Sequence, residues 1–456
     1  MKTIFITIFS LLFSIGCTSE KKAVEKSELD FLVSDEDFYE YVEYFDFDKV
    51  QEGDTSSDPD NSDDQESPDS ADYNCCDPET GDYDGLFANP AIEDWIRMRF
   101  EIPEDEPITE EMLLDIPFLS FKGSDLRGVE KMKNLTSITI SSDSICDYSP
   151  LKDLKELERM VLSNYKDETF MTCLDDSISK LDQVKELVLH GGIKIKDIAP
   201  VGGMAGLESI ELEDTWVDHI PDSFVKLENL EYFSSMDSRN LSGSLSPFGG
   251  LKKLKTINCQ ECGITDLSGL ENMESIELIN LSFPVAGFKL HSIESLKNLD
   301  TLRALFIPRA GLTELPVDMS GMTSLETIDI SHNEITDISS LAECSNLIEL
   351  EASANKLTSL PVNLKKLKNL QKFYVSFSDI NDISAFEDKE FLNNVAYISL
   401  AYNLIENVAP LAGRYDLHDL QMRNNCVTDF SVLEDLRAHG VIINGVSPDS
   451  RNERCP

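Results

Sequence analysis

The sequence predicts an α/β solenoid in which short parallel strands stack side by side, and three observations lead there. First, a pattern apolar at positions 1, 4, 6, 11, 14 and 17, with Asn at position 9, recurs from about Ile116 to the C-terminal region. Second, the usual step between copies is 22–23 residues, enough for a strand, a turn and a short return limb. Third, beyond the first sixteen residues no run of 18 apolar residues occurs, so the apolar positions serve a repeated core rather than membrane spans.

The clearest copy places Leu325, Ile328, Ile330, Ile335, Ile338 and Leu341 on the apolar positions and Asn333 at position 9. Others start at Leu347, Val395 and Leu417, with Asn355, Asn403 and Asn425 at position 9. Less regular copies start at Ile116, Leu135, Leu157, Val184, Leu207, Leu230, Leu254, Met273, Leu302 and Leu370, making about fourteen. Positions 3 to 8 are expected as a strand with residues 4 and 6 inward and 3, 5, 7 and 8 outward. The Asn turns the chain and satisfies backbone groups of adjacent coils, with Ser124, Thr215, Cys262 and Ser378 standing in for it. The pattern resembles the leucine-rich repeat, which implies a horseshoe with a concave parallel β-sheet and short irregular or 3-10 convex limbs.

In chain order, residues 1–16 read as an export signal: Lys2, an apolar run from Ile4 to Ile15, then Gly16. The stretch Phe13-Ser14-Ile15-Gly16-Cys17 resembles the lipobox of bacterial lipoproteins, which implies lipidation at Cys17 and a place in the bacterial cell envelope, at the outer membrane or cell surface. Residues 17–88 carry 24 acidic against 4 basic residues, the composition of a self-repelling, largely disordered tether. Its Asp-rich part lacks the terminal Glu of a calcium loop. Residues 89–115 read as a helical cap, with Asn89 and Thr109 as N-caps and Ile92, Trp95 and Ile96 on one face. That layout, followed by repeats over 116–446, resembles bacterial internalin-like proteins. Residues 447–456 form a tail.

The whole chain has 85 Asp and Glu against 39 Lys and Arg, net −46, so nucleic acid is a poor partner. The six histidines are scattered without ligand spacing, and nucleophile-elbow, Walker and dinucleotide motifs are absent. Hence no enzyme, cofactor, metal or small-molecule substrate is expected. Cys259 and Cys262 fall on core positions and read as free thiols, while Cys426 and Cys455 are placed to close the C-terminal end with a disulfide.

Function is expected on the outward strand positions of the C-terminal third. The candidate ligand-binding residues are Phe306, Arg309, His332, Tyr374, Phe377, Tyr397, Tyr402 and Arg423, with Asp329, Glu349 and Glu351 on the same face. Four aromatics on two adjacent coils, rimmed by charge, suit a protein or peptide ligand. The expected function is therefore non-enzymatic protein recognition by an exported, lipid-anchored chain. The alternative is a structural or cation-binding envelope protein using the acidic surface.

Overall fold

The computed structural model describes residues 83, 85–142, 145, 147–163, 174–190, 195–285, 287–445 and 453–455. Cys17, the lipobox, the acidic stretch as far as residue 82 and Cys75-Cys76 lie outside them. Among the described residues, fifteen strands form one sheet in chain order, from Phe118–Lys122 to Ile442–Asn444. Each strand pairs in parallel with the next, so the fold is the expected leucine-rich repeat solenoid.

The register stacks identical repeat positions. Ile328, Leu350, Phe373, Ile398 and Leu420 are successive Cα partners, all buried. The convex limbs are short 3-10 turns such as Ser339–Glu343 and Val362–Lys366. One limb departs from that expectation: Ser431–Ala438 is an α-helix burying Leu433 and Leu436. With no full coil beyond it to stack on, this limb satisfies its own backbone, as in the Glu434 N–H to Phe430 carbonyl bond of 2.9 Å.

Helix α1 (Pro90–Phe100) starts where Asn89 accepts the Ala91 N–H, and it buries Ile92 and Ile96. Helix α2 (Glu110–Leu113) starts at Thr109, whose side chain accepts the Met112 N–H. Packing begins before Asn89: Phe87 is 5% exposed within the core, and the Ala88 N–H reaches the Arg127 carbonyl at 3.0 Å. The segment read as tether thus ends short of residue 88, because Phe87 gains more from apolar burial than from solvent.

Between coils the position-9 amides form a buried ladder. Asn333 donates to the carbonyls of Ile307 and Ile330 at 3.1 and 2.9 Å, and accepts the Leu312 N–H at 3.0 Å. Asn355 repeats this with Ile330, Ala352 and Ile335, Asn403 with Val375, Leu400 and Ile380, and Asn425 with Leu400, Met422 and Ile405. Thr215 and Ser378 are buried at this position, but Ser124 is exposed, because its coil opens the sheet and has no earlier coil to bond.

Two repeat boundaries needed tertiary information. The copy set at Met273 starts at Ile276, since Ile279 pairs with Ile257 and Leu305, the position-4 residues on either side. The long step between Leu370 and Val395 is closed by Arg414, whose side chain is 0% exposed. Its guanidinium donates to the carbonyls of Phe391 at 2.6 Å and Phe386 at 3.3 Å, pairs with Asp416 at 2.7 Å and stacks over the Phe386 ring. A buried charge survives there because each face has a partner.

Asn333→Ala leaves the Ile307 carbonyl and the Leu312 N–H without that partner inside the core, which should cost about 1–3 kcal/mol in denaturant unfolding. The exposed Asn381→Ala is the control and should leave the midpoint unchanged.

Candidate functional site on the concave face

The site begins with a backbone constraint. The chain reverses just before position 9, whether an Asn or another residue stands there. Residue 8 of ten consecutive coils, from Asp214 to Asn424, therefore lies in the left-handed region, with φ between 51° and 61°. Position 8 is thus a turn residue rather than the last residue of the strand. Its N–H still extends the sheet, as from Phe377 to the Ala401 carbonyl at 3.0 Å and from Tyr402 to the Arg423 carbonyl at 2.7 Å.

Asp and Asn tolerate this conformation, whereas bulky side chains pay roughly 1–2 kcal/mol each. Phe283, Arg309, His332, Phe377 and Tyr402 nevertheless occupy it. Phe377 is 52% exposed and stacks on Tyr402 with ring centroids 4.1 Å apart and planes 11° apart. The Arg423 guanidinium lies 5.0 Å over the Tyr402 ring and donates to its hydroxyl oxygen. On the strands beside them, Tyr374 and Tyr397 are half-buried with centroids 5.2 Å apart.

The expected site residues therefore fall into two groups. Tyr374, Tyr397, Phe377, Tyr402 and Arg423 come together on the last three coils. Phe306, Arg309 and His332 lie on earlier coils, separated from them by the coil of Glu351 and Ala354. Arg309 and His332 are exposed at adjacent position-8 sites, and desolvation followed by the Arg309 charge lowers the His332 pKa. Phe283, 56% exposed, belongs to the same position-8 row. It escaped the sequence reading because the Met273 start displaced that coil by three positions; the spacing Ile276, Ile279, Leu281 is the signal that would have found it.

A second device borders the aromatic group. Cys426 and Cys455 form a disulfide closing a separation of 29 residues. Next to it Arg454 pairs with Asp379 at 2.6 Å and donates to the Ser378 carbonyl at 3.0 Å. Residues 453–455 thereby connect the last coil to the coil that carries Phe377. Cys259 and Cys262 are free and buried, and their mutual hydrogen bond, then burial, pushes the Cys259 thiol up. Among the described residues no group of three His, Cys, Asp or Glu is placed to hold a metal, and no helix is long and apolar enough to cross a membrane.

No protein-family model matches the chain. Solved structures that share its fold include two internalin-family chains of Listeria monocytogenes. An internalin, InlF, from Listeria monocytogenes aligns over 79% of this chain and 96% of its own, with a TM-score of 0.56 and 21% identity. The functional domain of InlJ from the same organism aligns over 77% of this chain and 78% of its own, with a TM-score of 0.53 and 18% identity. The volume-regulated anion channel subunit LRRC8A of Homo sapiens is 27% identical over 208 residues, 43% of this chain and 24% of the channel subunit. The chain thus matches about a quarter of that relative's length. The structural likeness defines a leucine-rich repeat solenoid with bacterial internalins among its neighbours.

Cys455→Ser opens the 29-residue loop. Chain entropy alone puts the loss at about 3–4 kcal/mol. Denaturant unfolding under oxidising conditions should show that loss, and added reductant should bring the parent down to the variant.

Proposed function

We propose that the chain is a non-enzymatic recognition protein, exported and anchored by lipid at Cys17, that binds a protein or peptide ligand on the concave face of its C-terminal coils. The observation that carries this reading is the stacked pair Phe377 and Tyr402. Both rings sit on left-handed backbone, where Asn424 of the next coil shows the residue type that the turn prefers. Accepting that strain to hold large rings near solvent is what a binding surface requires, because a few aromatic and Arg side chains dominate most protein interfaces. Arg423 over Tyr402 adds a residue type enriched in such patches.

The anchor reading rests on Gly16 and Cys17 after the apolar run, and on the acidic segment between Cys17 and the solenoid as a spacer. No ligand is taken from the structural neighbours, since fold does not define ligand.

The test is Phe377→Asn combined with Tyr402→Asn in the mature chain. Asn suits the left-handed backbone, so the melting temperature should hold or rise. Proteins captured from envelope or prey extracts by the parent should be lost, and a captured ligand, once titrated, should bind roughly 30-fold more weakly, about 2 kcal/mol. Equal binding by parent and variant removes the site from this face. For the anchor, Cys17→Ser should abolish incorporation of a labelled fatty acid; equal labelling of the two chains rejects it.

A further inference from the structure

Position 5 is the central row of the concave sheet. In four successive strands this row reads Phe306, Asp329, Glu351, Tyr374, each the direct Cα partner of the next. Two carboxylates thus stand side by side between two aromatic rings, all on one face. Among the other described strands the row holds one further acid, Glu211, single between Val188 and Ser234, and is otherwise neutral, as at Ser234, Asn258, Asn280, Ser399 and Gln421. A parallel sheet of this geometry does not need acids at position 5.

Nor does the protein neutralise them. Acids at neighbouring positions are matched across coils by cations: Glu186 with Arg159 at 2.8 Å, Glu231 with Lys255 at 2.6 Å, Glu326 with Arg303 at 2.9 Å and Glu349 with Lys372 at 3.7 Å. Among the described residues Asp329 and Glu351 have no such partner. Each instead accepts a backbone N–H two residues on, from Ser331 at 2.9 Å and Ser353 at 2.7 Å. Like charges directly opposite on paired strands are destabilising, and half-burial adds to the cost. Burial pushes the Asp329 carboxyl above its usual range, and burial, then the Asp329 and Glu349 charges, push Glu351 up to about 8.

An uncompensated acid pair flanked by rings is complementary to one kind of group, a cation with apolar character that can contact both carboxylate and ring faces. We infer that the concave surface between Phe306 and Tyr374 is the docking site for an Arg or Lys side chain of a partner protein. This rests on the reading of the chain as a recognition protein and names the partner class: a basic segment laid along the concave sheet. Tyr374 belongs both to this row and to the aromatic group beyond it, so one ligand can engage both.

The test uses the mature chain and a fluorescent hexa-arginine peptide, titrated at about 0.15 M salt, where long-range attraction to the acidic surface is largely screened. Asp329→Asn with Glu351→Gln should weaken the peptide at least about tenfold, as expected for removing the anionic partners of a desolvated cation. The same variant should melt at or above the parent temperature, because the unfavourable pair is gone; a merely structural pair would lower it. Glu211→Gln with Glu213→Gln replaces two carboxyl groups on the same face, one of them in the same row but without a neighbouring acid or aromatic ring in that row, and should change affinity by less than about threefold. Equal weakening by both variants, or none by the first, overturns the inference. So does displacement of the peptide by about 2 mM calcium, which would make the pair a cation site instead. The two readings fail separately. If ligand capture depends on Phe377 and Tyr402 while the peptide ignores the acid pair, the basic-side-chain site falls and the recognition surface stands.

Discussion

The C-terminal coils depend on one interaction, the buried amide of the position-9 asparagine. A coil of 22–23 residues is too small to bury its own backbone, so carbonyls at the end of each strand and the N–H at the start of each return limb would be stranded in an apolar interior. The Asn side chain is the shortest group that offers two donors and an acceptor to that gap. Asn333 and Asn403 each bond a carbonyl and an N–H of the preceding coil as well as their own. Stacking therefore follows from hydrogen bonding as much as from the leucine core. Where the first coil has no predecessor, Ser124 is solvent-exposed and the constraint lapses.

The turn at that position shapes the surface. The turn into position 9 puts the preceding residue of ten consecutive coils into left-handed backbone, with Asn or another residue following it, and its side chain is left on the rim of the concave face. Each of these ten coils offers one side chain on a fixed turn, whatever its identity. Asp and Asn are the inexpensive occupants, so Phe283, Phe377 and Tyr402 register as departures with a thermodynamic cost. Such preorganised rings lose little entropy on binding. The position-5 row is governed differently: its residues lie on regular strand, and its cost is electrostatic, concentrated where Asp329 meets Glu351.

A solenoid has two open ends, and each is closed by its own chemistry. At the start, α1 lays Ile92 and Ile96 over the first coil and Phe87 fills the gap beside them. At the end, α3 (Ser431–Ala438), a last strand and the Cys426–Cys455 disulfide cover the final coil. Arg454 then ties the tail back to Asp379 and the Ser378 carbonyl. Ser378 is one of the substitutes for Asn, so the tail supplies a hydrogen bond at a coil that lacks the Asn amide.

The sequence by itself determined the repeat, its strand positions, the asparagine ladder and the outward placement of Tyr374, Tyr397, Phe377, Tyr402 and Arg423. These follow from a local period, and a period survives in one dimension. Tertiary structure decided what depends on neighbours about a coil apart: that Ile276 rather than Met273 starts its coil, that Arg414 plugs an insertion, and that Phe377 and Tyr402 stack. It also decided that Asp329 and Glu351 stand together without a cation. Each acid alone is an ordinary outward residue, and only the register of paired strands puts two carboxyl groups side by side between aromatic rings. Pattern reports which face a residue takes; the energy of that choice is set by what the adjacent coil brings against it.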